Sequence, residues 1–336
     1  MRPLVHPALA RVWRDTTTVQ IGLDPDRAVV LGGLNAAETS LLRALDGRHD
    51  HAMLRAKAIE AGGDATIADR LLDLLRAGGV VVDCDDLPTG DLRTDPLAPD
   101  QATAGLLTGA PDGGAHAMAV RREQWVEVRG AGRVGASVAR LLGAAGVGRI
   151  TVVDAATTSS HDLCPGGLDR RHVGRPRGRE VQRLVRTSTG PVTEPSMPAL
   201  VVIAPQPGAV VSPGGGLLGD GIPHLMARVV EVTGTVGPLV LPGRSACLRC
   251  LDLYRTDRDP AWPRIVAQTA QQRPAVAACD VTLAAQVAAL AAQQVLAHLD
   301  GFVPATVDGT VEITLPYGLP RRRSWTPHPA CGCRWA

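Results

Sequence analysis

At 336 residues, 45% of them hydrophobic, the chain is long enough for one large domain plus a small one, each with its own core. Aromatic residues make up only 2%, so those cores must be built from Ala, Val and Leu, and Lys57 is the single lysine. The net charge of +2 gives no footprint of a nucleic-acid or membrane partner; no apolar run reaches the ~18 residues of a membrane span, and Met1 to Trp13 lacks a signal peptide's apolar stretch, so the expected compartment is the cytoplasm.

In chain order, Thr18–Leu23 and Ala28–Leu31 read as two short strands joined by the turn Asp24-Pro25-Asp26. Asn35 with Glu38 predicts a capped helix that buries Leu41, Leu42 and Leu45 and stops at Gly47. A second helix over about 50–61 ends at Gly62-Gly63. A third, over about 65–77, is expected to bury Ile67, Leu71, Leu74 and Leu75 before a strand at Val80–Val82. Three helices with flanking short strands is the order of a winged helix-turn-helix over residues 1–86. Residues 1–95 carry 11 Lys and Arg against 15 Asp and Glu, a balance of −4. A DNA-binding domain shows the opposite sign, so a peptide or protein is the expected partner.

Residues 87–119 are rich in Pro, Gly, Asp and Thr and read as a linker. Beyond it, strands at Val126–Val128, Arg149–Val153 and Ala199–Ile203 alternate with helices at 136–145 and Glu180–Arg186. This is the order of a Rossmann-like, doubly wound, mostly parallel sheet spanning 120–336. A long Ala-rich helix is expected over 280–299.

Two patterns in this region carry chemistry. Gly130, Gly132 and Gly135 lie between a strand and a helix, and Asp154 follows Gly135 by 19 residues at the end of the next strand. Such glycines let the backbone approach a phosphate at a helix N-terminus, and such an acid accepts from ribose hydroxyls. The pattern fits dinucleotide and mononucleotide folds equally. The second pattern is Cys247 with Cys250 and, after 80 intervening residues, Cys331 with Cys333. Two close pairs among seven cysteines predict a closed, structural zinc site with four cysteine ligands that pins the C-terminal segment to the core. His328 is a candidate substitute ligand. Cys84, Cys164 and Cys279 are left over; Cys279, just before a helix, stands where a helix dipole could lower a thiol pKa, but a small buried residue is the expected role for it and for Cys164.

Together these features are more specific. The glycine turn, Asp154, Val236–Gly243, the pair Cys247 and Cys250 and the terminal pair resemble the ThiF-like, ubiquitin-activating-enzyme-like adenylyltransferases over about residues 120–336. Leu251–Trp262 and His328–Cys333 resemble the branch linked to azol(in)e cyclodehydratases, whose members carry a winged-helix peptide-recognition domain in front. The resemblance implies ATP with magnesium at the glycine turn, a peptide or small carrier protein as partner, a homodimer, and a leader peptide added as a strand to a sheet edge.

The chain departs from the family's catalytic pattern. Asp154 is followed by Ala155-Ala156-Thr157, and the stretch that should supply an Asn and an Arg is Asp162–Gly166. Arg177 stands near the expected lysine, which makes it the one candidate catalytic cation. Ala204-Pro205-Gln206 stands where a magnesium-binding acid belongs; Asp162 and Asp220 are the acids that would have to replace it. Two functions follow as expectations. One is a non-catalytic scaffold that recognises a peptide or partner beside a modifying enzyme. The other is an ATP-dependent adenylyltransferase acting on a carrier or peptide carboxylate. A nicotinamide-dependent oxidoreductase has the glycines but no proton donor with motif support.

Overall fold

The computed structural model describes residues 1–87, 94–185, 197–206, 215–271 and 275–334. The chain divides into two compact units, Met1–Ala119 and Val120–Ala336.

In the first unit, β1 (Pro3–Val5) pairs antiparallel with β5 (Val81–Asp83), and β2 (Arg11–Trp13), β3 (Val19–Ile21) and β4 (Val29–Leu31) form an antiparallel sheet with β3 in the middle. Helices α1 (Ala36–Ala44), α2 (His51–Glu60) and α3 (Ala65–Ala77) follow β4. Each begins on a side chain that satisfies a free N–H of the first turn. Asn35 and Glu38 form the reciprocal box expected, both bonds at 2.9 Å, and Asp50 and Asp64 cap the next two. Val19, Ile21, Leu41, Leu42, Leu54 and Leu75 form the core.

Two expectations for this unit change. Leu74 is 60% exposed, and Leu72 and Ala68 take its place in the core. Residues 67, 68, 71, 72 and 75 make one stripe at 100° per residue, and position 74 falls just outside its edge. The stretch expected as a linker contains α4 (Ala98–Thr108) and α5 (Ala115–Glu123), the latter holding the division between units. Pro99 in the first turn and left-handed Gly109 at the end are the start and stop signals of α4.

The second unit is built on a seven-stranded sheet ordered β12-β11-β10-β9-β8-β6-β7. Its strands are β6 (Trp125–Arg129), β7 (Arg149–Val153), β8 (Leu200–Ile203), β9 (His224–Val230), β10 (Thr233–Val240), β11 (Gly309–Thr314) and β12 (Pro320–Ser324). The first four are parallel, and the last three extend the sheet antiparallel. All four residues of β8 are buried, as a strand covered on both faces requires. The helices are α6 (Arg133–Ala144), α7 (Arg177–Leu184), α8 (Gly215–Gly219), α9 (Leu248–Arg258), α10 (Trp262–Gln271) and α11 (Val281–Leu299). Arg186, the last residue of the helix expected at α7, lies outside the described residues.

Helices α6 and α11 share a core with one face of the sheet, through Val128, Leu142, Leu225, Val287 and Val295. The other face packs Val201, Ile203 and Met226 against Leu217 and Ile222. By length and composition α11 is long and apolar enough to cross a membrane. Leu283, Val287, Ala291 and Val295 form a buried stripe along it, as in the core helix of a globular domain.

Candidate nucleotide and metal sites

Strands β7 and β8 lie on opposite sides of β6, so their connections leave in opposite directions and a crevice opens at the C-terminal ends of the three strands. The residues that end them meet there: Gly130 to Gly135 after β6, Asp154 after β7, and Ala204 to Gln206 after β8.

The glycines of the turn are there for space. Gly130 has φ +105°, and a Cβ on it would fall 1.9 Å from the Ala204 carbonyl oxygen. A Cβ on Gly135 would fall 1.9 Å from the Gly130 oxygen, so the first turn of α6 packs directly on the loop before it. Gly132, the N-cap of α6, is different. The nearest atom to its added Cβ is Asp162 Oδ1 at 3.6 Å, an ordinary van der Waals distance, although the position is buried. Position 132 is therefore the one glycine of the three that packing does not require.

The structure brings Asp154 and Arg177 together and joins them to Asp162. Asp154 Oδ2 accepts from the Ala131 N–H at 2.7 Å and from Arg177 Nε at 2.8 Å, with Arg177 Nη2 at ion-pair distance, 2.7 Å. Its Oδ1 accepts from the Ala156 N–H at 2.8 Å. Arg177 Nη1 donates to Asp162 Oδ1 at 2.7 Å, and Asp162 Oδ2 accepts from Ser159 N and Oγ at 2.8 and 2.9 Å. The Gln206 carboxamide, its oxygen toward the guanidinium, lies against the same cation. The three charged side chains are 5–7% exposed. An ionised carboxylate has about four acceptor positions; three N–H donors meet Asp154, two of them on Oδ2, where the Arg177 cation also sits.

The two acids expected to replace the missing magnesium ligand stand differently. Asp162 is committed to Arg177 and to its own turn, and Asp220 is exposed just beyond α8. Arg133, at the start of α6, donates to the carbonyls of His161 and Cys279 at 2.7 and 2.6 Å. The role of Asp162 as the second anchor of Arg177 was not visible in sequence, where it stood near the family's asparagine and as a substitute magnesium ligand.

The four cysteines Cys247, Cys250, Cys331 and Cys333 are buried, and their sulfurs all lie within 4.8 Å of one another. Measured edges are 3.7 Å for Cys247–Cys250 and 3.5 Å for Cys247–Cys331 and Cys250–Cys333. A tetrahedron with ~2.3 Å metal–sulfur bonds has edges of about 3.8 Å, so the set fits one tetrahedral metal ion, and all four are free thiols. Cys247 is the N-cap of α9 and Cys250 lies in its first turn, where the helix dipole favours negative sulfur. Burial works against a Cys250 thiolate, but the N–H groups of His328 and Cys247 hold that thiol below its ordinary value. Burial pushes Cys333 up to about 11 and raises Cys331 further. A bound cation is what would let all four ionise together.

His328 is not in this set. Its Nε2 meets Asp257 Oδ2 at 2.9 Å, its ring stands edge-on to Tyr254 at 4.6 Å, and its backbone N–H donates to Cys250 Sγ at 3.2 Å. Cys279 is a partly buried thiol, without the lowering that its place before a helix could have given. Asp280 takes the N-cap of α11, and burial pushes the Cys279 thiol up, not down. Cys164 donates to the Arg133 carbonyl at 3.3 Å as a packed, partly buried thiol.

The fold that carries the glycine turn between β6 and α6, the acid after β7 and the C-terminal four-cysteine cluster is shared with solved structures. Escherichia coli MccB bound to MccA-N7isoASN has this fold, with a TM-score of 0.73, 14% identity and all of both chains covered. MccB with ATP superposes at a TM-score of 0.69 and 13% identity, over 99% of this chain and 100% of that one. The heterocyclase TruD matches at 0.63 and 16% identity, over 99% of this chain but 42% of its own. At these identities the likeness is one of fold. No protein-family description and no curated protein matches the sequence.

Proposed function

We propose that this chain is a non-catalytic peptide-recognition scaffold of ThiF-like fold that works beside a separate peptide-modifying enzyme. The observation that carries the reading is the crevice after β6, β7 and β8. There the ribose acid Asp154 already holds three N–H donors and the Arg177 cation, and β8 ends in Ala204-Pro205-Gln206 with no carboxylate for magnesium. Phosphoryl chemistry depends on metal and cation placement, and this crevice spends its cation on its own acids.

Recognition is assigned to the first unit. Edge strand β4 offers an added strand its pairing positions, and beside it lies a groove of about 820 Å³ lined by Leu9, Leu23, Val29, Val80 and Leu106. MccB has been captured with MccA, and the likeness to it extends over the whole of this chain. The heterocyclase TruD is longer, and this chain spans 42% of it. The four cysteines would hold zinc, whose role with four thiolates and no open position is structural. Dimerisation through the second unit completes the reading, carried by the ThiF-like fold.

The test is to incubate the full chain with ATP, magnesium and peptides encoded beside its gene, following peptide binding by anisotropy and pyrophosphate release in the same samples. Saturable peptide binding without pyrophosphate is the expected result. Peptide-dependent pyrophosphate release would replace the scaffold with the second reading, an adenylyltransferase that uses Arg177 on phosphate. That reading is favoured by the preserved close packing of Gly130 and Gly135 and by the likeness to ATP-bound MccB.

A further inference from the structure

We infer that Arg177 is a specificity-determining plug: its guanidinium occupies Asp154 in place of a nucleoside's ribose and keeps the crevice closed to nucleotides. The inference rests on the scaffold reading and gives it a cause at one residue.

The plug is built from backbone as well as side chain. Arg177 opens α7, its own N–H donates to the Ala156 carbonyl at 2.8 Å, and Thr157 bridges to Pro176, so residues 154–177 form a loop closed on itself. The next residue is Gly178, where an added Cβ would fall 2.6 Å from the Asp154 carbonyl oxygen. That bare position lets the start of α7 press against the Asp154 backbone and delivers the guanidinium sideways onto the carboxylate. Two hydrogen bonds, from Nε to Asp154 and from Nη1 to Asp162, join the two acids through one guanidinium, with Nη2 at 2.7 Å from the same Asp154 oxygen. A ribose diol that donates to both Asp154 oxygens would have to displace at Oδ2 a guanidinium fixed at both ends; Oδ1 is held only by the Ala156 N–H. The planar fork of arginine makes this bridge possible, whereas a lysine ammonium on a flexible stem cannot span two carboxylates in the same way. Lysine is also the residue that the resemblance to ThiF-like enzymes leads one to expect near this position.

The experiment compares AMP binding, which needs no metal, to full-length wild type, Arg177→Lys, Arg177→Gln and the double variant Arg177→Lys with Asp154→Asn. Calorimetry should find no saturable AMP binding to wild type up to about 5 mM, and a gain of about tenfold or more in both single variants. The gain should vanish in the double variant. Equal AMP binding by wild type and Arg177→Lys overturns the plug and weakens the scaffold reading with it. Folded variants that stay silent overturn the plug alone and leave the scaffold reading standing. If neither variant folds, wild type decides: the plug predicts an Arg177 Nε–H resonance that exchanges slowly and is unmoved by 5 mM AMP, the ceiling set above, and its loss on AMP addition overturns it.

Discussion

Asp162 and Arg177 form a 2.7 Å ion pair with both side chains 5–7% exposed, and loss of Asp162 removes a buried charge-assisted bond while Asp154 still pairs the arginine. Asp162→Ala should therefore lower the unfolding free energy by about 1.5–3 kcal/mol, read as a shift of the denaturant midpoint. The Asp169–Arg171 pair is as short, at 2.6 Å, but Arg171 is 84% exposed. Its guanidinium holds the Asp169 carboxyl at about 2, yet water screens the pair, so Arg171→Ala should leave the midpoint where it was. A change in the second variant as large as in the first would refute the argument from burial. His6 extends that argument to pH. It is 2% exposed, its Nδ1 accepts the Ala8 N–H at 3.2 Å, and its Nε2 is buried without a partner. Burial pushes its pKa below the ordinary 6.5, so the unfolded chain takes the proton first. The stability this histidine contributes is complete above about 6.5 and is lost as pH falls below that value. His6→Gln should flatten the fall in melting temperature of the first unit between pH 7 and 5. His224 and His298, also lowered by burial, keep a residual slope in the second.

Helices and strands were legible where caps and periodicity agreed. Asn35 with Glu38, Asp280 before a 19-residue helix, and the continuous apolar run of β8 all sit where their local chemistry puts them. Elements fixed by partners distant in sequence were not. Strand β1 exists because Pro3–Val5 pairs with Val81–Asp83, and nothing in those first residues alternates clearly enough to announce it. Helix α4 hid in a segment whose Pro, Gly and Thr content reads as a loop, although two of those residues are its start and stop signals. The glycine turn shows the same division. Spacing alone marked Gly130, Gly132 and Gly135 as one motif, but the structure separates them by what a Cβ would meet. Gly130→Ala and Gly135→Ala each drive a methyl to 1.9 Å from a carbonyl oxygen and should cost about 1–3 kcal/mol or more. Gly132→Ala meets nothing nearer than 3.6 Å and should stay within about 0.5 kcal/mol of wild type. Thermal unfolding of the three variants checks the ranking, and equal losses at all three positions would show that the turn is packed shut throughout.

At the scale of the whole molecule, the second unit is held from both ends of its sequence. Arg177 closes the crevice at one end of the sheet, and the four cysteines tie α9 to the last residues of the chain. The cysteine pairs were readable across 80 residues because thiolate chemistry leaves few other reasons for such pairs in one chain. The union of Asp154, Asp162 and Arg177 was not readable, because it depends on where α7 begins relative to β7, a geometry that spacing does not encode. The cysteine tie also has aromatic support. Trp325 donates to Thr310 Oγ1 at 3.0 Å and stands 6.0 Å from Tyr254, whose hydroxyl meets Thr326 Oγ1 at 2.7 Å. These contacts are modest beside a structural metal, whose apparent binding energy of about 10–16 kcal/mol equals or exceeds the stability of a typical domain. The purified chain should contain one zinc per molecule by elemental analysis. Stripping it with a chelator, or changing Cys331 to Ser, should expose the segment after Ser324 to proteases and lower the melting temperature well beyond the effect of Trp325→Ala. A metal-free protein with an unchanged melting temperature and a protected C-terminal segment would mean that the aromatic contacts alone hold the segment down.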